Sequence, residues 1–219
     1  MLVALAWRNL WRRPQRTILS LLSIALVSTL MICMLSFQAS VYGVVFYLPT
    51  QVAQLLGRKV GLEVGLVTAI PWICALIAAY LIPRYSDLKN DRRWTAAVTL
   101  AVAGGGIAAS TAARDSPVLA LIALCFAASG FIAVQPLFWT FPTSYLSGAA
   151  AAGGIALVNS FGAAGGFTGP IVRTWAERSF GWPLAGLYVL ALAAFIGAIL
   201  IAMLSAMVPG LSTDNRRRS

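Results

Sequence analysis

Three amide side chains, Gln38, Gln135 and Asn159, stand in stretches otherwise apolar enough to sit in lipid. Polar groups are costly there, so each is a default candidate for contact with a solute. Tyr42, Trp139 and Thr140 lie close to them in sequence and are candidates to line the same cavity. Amides donate and accept hydrogen bonds, so the set suits the hydroxyl and carboxylate oxygens of a small polar solute. None of it is bond-breaking machinery: the expectation is a binding site with no catalytic residue, hence not an enzyme.

Plainer roles stay open for each residue. An Asn or Gln inside a membrane bundle is often glue, hydrogen-bonded to a neighbouring helix for about 0.6 kcal/mol on average. Gln135 precedes Pro136 and can serve the carbonyls that the proline frees. For Tyr42 and Trp139 the alternative is an aromatic belt at the membrane interface.

The charged residues say what such a site would lack. None of the six acidic residues falls in the middle of an apolar run: Asp87 and Asp91 lie in a polar island, Asp214 near the C-terminus, and Glu63, Asp115 and Glu177 at run ends. A proton-coupled carrier needs a titratable group in its pathway, and a site for anions usually supplies Arg or Lys. Neither is expected inside the membrane here, so a charged solute would need its countercharge from another polypeptide.

The stretch "IALVNSFGAAGGFTGP", Ile155 to Pro170, joins one amide to a run of glycines. Asn159, Gly162 and Gly166 share a helical face, and Gly162 to Gly166 and Gly165 to Gly169 are both GxxxG spacings. A face without side chains lets a second helix, or a ligand, come close. The polar island "PRYSDLKNDRRW", Pro83 to Trp94, holds Arg84, Asp87, Arg92 and Arg93. It is either a solvated basic loop or a latch in which Asp87 meets the N-terminal end of a neighbouring helix while the arginines hold carboxylates or carbonyls.

What must position these residues is an integral membrane bundle. The 219 residues are 60% hydrophobic and 10% charged, with a mean hydropathy of +0.85, whereas soluble domains are about 25% charged. Six apolar runs, roughly 18–46, 62–82, 95–113, 118–141, 151–172 and 184–207, are each long enough for a spanning helix. Residues 1–17 form a basic N-terminal segment, residues 18–207 the six-helix domain and residues 208–219 a tail. Lipid offers no partner to unpaired backbone groups, so every run is expected to be helical.

Eleven basic residues lie on one side: Arg8, Arg12, Arg13, Arg16, Arg84, Lys89, Arg92, Arg93 and Arg216 to Arg218. The other side has five, Arg58, Lys59, Arg114, Arg173 and Arg178. This asymmetry puts both termini in the cytoplasm. The net charge of +10 therefore reports topology, and no nucleic-acid partner is expected. Cys33, Cys74 and Cys125 are odd in number and lie in apolar runs, which argues against a disulfide framework. With no His and no ligand clusters, neither metal nor cofactor is expected.

"FYLPT", Phe46 to Thr50, closes the first run and "FWTFPT", Phe138 to Thr143, the fourth. Three crossings apart, they face opposite sides, as in an inverted repeat of three helices plus three. The fold expected is all-α, integral to the membrane, with six transmembrane helices in that repeat.

From about Phe37 to Met207 the chain resembles the C-terminal six-helix half of a major facilitator superfamily transporter, most closely the anion:cation symporter group for organic and sugar acids. "VYGVVFYLPTQ", "RYSDLKNDRRW" and above all "FWTFPTSYLSGAAAAGGIALVNSFGAAGGFTGP" carry the resemblance. It implies half of a twelve-helix fold, a central cavity and alternating access. It also implies substrate contacts at Gln38, Trp139 and Asn159, a gating loop at Arg84, Asp87, Arg92 and Arg93, and a bacterial inner membrane. The expected partners are lipid, a small carboxylate substrate, and an N-terminal half or a second copy. In such carriers the N-terminal half supplies the anion-binding Arg and the protonatable carboxylates. A remnant, a fusion or a truncated reading frame would each account for its lack here. Leu5 to Leu26 resembles instead the start of an FtsX-like ABC-transporter permease, or is an ordinary basic amphipathic lead into a membrane helix with Trp7 and Trp11 at the interface.

Overall fold

The computed structural model describes residues 14–46, 48–145 and 148–207. The basic segment with Arg8, Arg12, Arg13, Trp7 and Trp11, and the C-terminal tail with Arg216 to Arg218, lie outside the described residues.

Among these residues all regular structure is helical: α1 Pro14–Val45, α2 Leu48–Leu56, α3 Leu62–Lys89, α4 Arg92–Ala112, α5 Pro117–Tyr145, α6 Gly148–Phe180 and α7 Ala185–Met207. Six of them are long and apolar enough to span a bilayer, α2 being the exception. "FYLPT" does not simply end a crossing: Pro49 stands in the first turn of α2, where its missing N–H costs nothing. Leu48, Val52 and Ala53 then bury one face of α2 in a small cluster with Val64 and Leu124.

The bundle is built from five main interfaces: α1 with α6, α3 with α5, α4 with α5, α4 with α7, and α1 with α7. Exchanging the first three spans for the last three turns α1/α6 into α5/α3 and α4/α5 into α7/α1, and returns α4/α7 to itself. The pairing therefore repeats as three plus three, although the two Pro-Thr motifs play different local parts. Pro49 starts a helix, while Pro142 lies inside α5. The main core fills the space among α1, α4, α5 and α7, with Phe37, Phe131, Leu100, Ile107, Leu137 and Ile201 almost fully enclosed.

Two tight places position the functional groups. Between α3 and α4 the chain turns in two residues, Asn90 and Asp91. Asn90 adopts the left-handed conformation at φ 51°, and the Asp91 N–H reaches back to the Ser86 carbonyl at 3.1 Å, closing a helix end. The other place is α6 on α1. A Cβ on Gly165 would overlap the Leu35 carbonyl, and one on Gly169 the Ala39 carbonyl, so the two backbones meet directly. The partner atoms are main chain and cannot swing aside.

Gly165→Ala and Gly169→Ala should each destabilise the bundle by about 1–3 kcal/mol, the range for overpacking a tight contact. Gly153, on the same helix with open space where a Cβ would go, is the control. Gly153→Ala should leave the detergent-solubilised unfolding midpoint unchanged or raise it slightly.

Candidate functional site: a cleft between the first and last-but-one spans

The α1–α6 contact leaves a cleft of about 390 Å³ beside it, within the size range of small-molecule pockets. Gln38, Tyr42 and Phe46 come from α1, and Asn159, Gly162, Gly166 and Phe167 from α6. The spacing explains the wall. Gln38, Tyr42 and Phe46 recur at every fourth residue along α1, and Asn159, Gly162 and Gly166 follow the same stripe on α6. The Met34 side chain fills the space beside Gly162, and the Tyr42 ring the space beside Gly166. Tyr42 and Phe46 rest ring against ring, 5.7 Å apart.

The polar equipment of this cleft is an amide pair. Asn159 is exposed to the cleft, whereas Gln38 is half-buried, its Oε1 enclosed and without a hydrogen-bond partner. An enclosed acceptor left unpaired costs about 1–3 kcal/mol, so turning the Gln38 amide toward a donor in the cleft would be favoured.

The other expected contacts fall elsewhere. Trp139, on α5, is half-buried against the main core, with its ring edge-on to Phe138 at 5.8 Å, and it does not line this cleft. Thr140 donates its hydroxyl to the Leu137 carbonyl at 2.7 Å, and Gln135 is half-buried on the same helix. Thr143 and Ser144 likewise bond back to Trp139 and Thr140. These hydroxyls brace the α5 end around Pro142.

In the polar island the helix-end role belongs to Asp91. Its carboxylate accepts the Trp94 N–H at 3.1 Å and caps α4, an N-cap pattern readable as Asp three residues before Trp94. Asp87 instead takes Arg92 at 3.2 Å. Arg93 lies over the Trp94 ring at 4.8 Å, and Arg84 donates to the Tyr80 hydroxyl at 2.7 Å.

The structure also corrects the charge inventory. The fifth spanning helix runs on to Phe180, beyond the expected end near 172, and carries Arg173 inside the bundle at 4% exposure. Its Nε donates to Glu177 at 2.8 Å and its guanidinium to the Gly43 carbonyl of α1 at 3.2 Å, while Gly186 of α7 leaves room for the stem. Hydropathy ends this span near residue 172, where the apolar run thins, and so leaves Arg173 and Glu177 outside it. The i,i+4 spacing was the signal available. This cation is committed to protein partners.

Among the described residues, an all-helical six-span bundle with a three-plus-three pairing and an amide-lined cleft fits a multi-pass membrane protein. The family model described as Major Facilitator Superfamily matches residues 2–170, and this chain belongs to that family. Its members are transporters, not enzymes. Among relatives, the chain is 54% identical over 191 residues to "Inner membrane transport protein RhmT" of Escherichia coli (strain K12), covering 85% of this chain and 44% of that one. A "Putative tartrate transporter" of Agrobacterium vitis is 38% identical over 148 residues, covering 68% and 33%. A "Quinolone resistance transporter" of Acinetobacter baumannii is 36% identical over 161 residues, covering 74% and 37%. The chain thus spans less than half the length of these curated relatives. No solved structure matches.

Glu177→Gln leaves the Arg173 charge without its carboxylate. Because Glu177 is itself 27% exposed, water tempers the loss to about 1–3 kcal/mol. The double variant Arg173→Met/Glu177→Gln should recover part of it, and a double-mutant cycle on denaturant midpoints measures the coupling.

Proposed function

We propose that this chain acts as the C-terminal half of a secondary transporter for small organic anions, sugar acids or other carboxylates. It would work with an N-terminal half or, less readily, a second copy, and be cation- or proton-coupled only in that complete form. The observation that carries this reading is the amide pair Gln38 and Asn159 on facing walls of one cleft, with the Gln38 Oε1 enclosed and unpartnered at its wall. Two amides on facing helices can grip the hydroxyls of a sugar acid from two sides, each with a donor and an acceptor. The relative named for tartrate, a dicarboxylate, agrees in substrate class.

The anion's charge is another matter. Arg173 is bound to Glu177 and to the Gly43 carbonyl, so the countercharge is assigned to the partner half. The spans least enclosed within the bundle are α3 and α6, which occupy equivalent places in the three-plus-three exchange. Their open faces are the natural seats for that partner, and the cleft lies on one of them. Trp139 is kept as a third substrate contact, reaching the solute from α5, on the strength of the family resemblance. On this reading both termini lie in the cytoplasm of a bacterial inner membrane, an orientation supported by the charge asymmetry and a membrane supported by the inner-membrane relative.

A non-transporting fragment whose glycines serve assembly is the lesser reading, because Gly165 and Gly169 are already spent against α1. An ABC-type permease fragment is lesser still, since the family match already covers Leu5 to Leu26.

Co-expression with a matching N-terminal half should restore uptake of radiolabelled sugar acids. Gln38→Ala and Asn159→Ala should each lower it about tenfold, the cost of one hydrogen bond to a charged or buried partner, and Trp139→Ala should lower it as well. Restored uptake that is indifferent to Asn159→Ala and Trp139→Ala would falsify the site, and uptake by the chain alone in proteoliposomes would overturn the need for a partner.

A further inference from the structure

Another, wider hollow lies away from the amide cleft. It is a groove of about 780 Å³ among α3, α4 and α5. Its walls are mostly apolar, with Ala78 and Ile82 from α3, Val98 and Val102 from α4 and Phe126 from α5, and with Thr99 and Ser129 between them. At one end it becomes polar and aromatic, with Tyr85, Lys89, Asp91, Trp94 and Thr95. A second hollow of about 420 Å³ shares Val102 and Phe126 and continues along the α4–α5 seam to Ala113 and Leu119, lined by apolar residues alone. The seam is smooth because the helices touch through bare backbone. A Cβ on Gly106 would come within 2.6 Å of the Ala127 nitrogen, and one on Gly130 within 2.7 Å of the Thr99 carbonyl.

We infer that the first hollow binds an anionic phospholipid, with one acyl chain along Ile82, Val98, Val102 and Phe126 and the headgroup phosphate at Lys89 and Arg93. Length supports this occupant. From Asp91 to Val102 is eleven helical residues, about 16 Å, close to half of a hydrocarbon core about 30 Å thick. One leaflet's acyl chain therefore fits between the polar end and the shared residues Val102 and Phe126.

Charge completes the argument. Lys89, in the groove lining, sits over the Tyr85 ring at 6.0 Å, and Arg93, just outside the lining, lies over the ring of the lining Trp94 at 4.8 Å, so one cation stands at the polar end and a second is held beside it. The neighbouring Arg92 is taken by Asp87. Asp91 lines the same end, but its carboxylate is turned to the Trp94 N–H of its own helix. The opposite hollow has no charged residue in its lining, so the preference for an anionic headgroup belongs to one leaflet only. The proposal does not depend on the transported solute.

Native mass spectrometry of the full chain, released from detergent with equal phosphatidylglycerol and phosphatidylcholine of identical acyl chains, tests it. The expected result is about tenfold greater retention of phosphatidylglycerol, from two cations near the headgroup. Lys89→Ala/Arg93→Ala should erase that preference while keeping lipid adducts. Val98→Trp, which fills the groove and leaves the cations, should lower retention of both lipids, with an unchanged collision cross-section showing an intact fold. Equal retention of the two lipids by the unmodified chain, or a preference that survives the double alanine variant, overturns the proposal. So does a chain dimer, free of lipid, that Val98→Trp disperses, since a second copy would then occupy the groove.

Discussion

Everything at the amide cleft depends on two main chains that touch. Gly165 and Gly169 bring α6 against the Leu35 and Ala39 carbonyls of α1, with no side chain between. In lipid there is little hydrophobic gain from joining two apolar helices, so close van der Waals contact and polar pairing must hold them. That contact puts Asn159 and Gln38 on opposite walls of one cleft, and lets Tyr42 lie over Gly166. The glycines weaken an isolated helix and strengthen this pair.

The same pair explains where the charge went. Arg173 lies on α6, one turn beyond Gly169, and finds its partners within the contact region: Glu177 on its own helix and the Gly43 carbonyl on α1. A buried cation so engaged is a staple for the bundle's end. It is a poor ligand for a moving anion, because releasing it would strand Glu177. In the function proposed above, a solute carboxylate would look to a second half for attraction, while the amides here would give shape and orientation.

Much of this was legible in sequence, for reasons tied to single residues. Long apolar runs fix six helices because unpaired backbone cannot stand in lipid, and the GxxxG spacing announces a bare face. Asn159 and Gln38 stand out because amides are rare in such runs. Less visible was anything set by tertiary contact. Arg173 reads as the end of a span, since hydropathy counts its charge and not its neighbours Glu177 and Gly43. Trp139 shares the resemblance of Asn159 to substrate contacts, but its place, half-buried on α5 and outside the lining of this cleft, depends on how α5 packs. The short α2 follows from Pro49, which looks the same in sequence whether it ends a helix or begins one.

The central claim is that Asn159 looks into water and not into lipid or a neighbouring helix. Thiol reagents need the thiolate, which forms where water reaches and not among acyl chains. In a background without Cys33, Cys74 and Cys125, the variants Asn159→Cys and Ile196→Cys, the latter on an exposed apolar face of α7, can be compared with a hydrophilic thiosulfonate in intact membranes. The account predicts ready modification at position 159 and slow modification at 196. Equal, slow reaction at both would contradict it and return Asn159 to the role of helix glue.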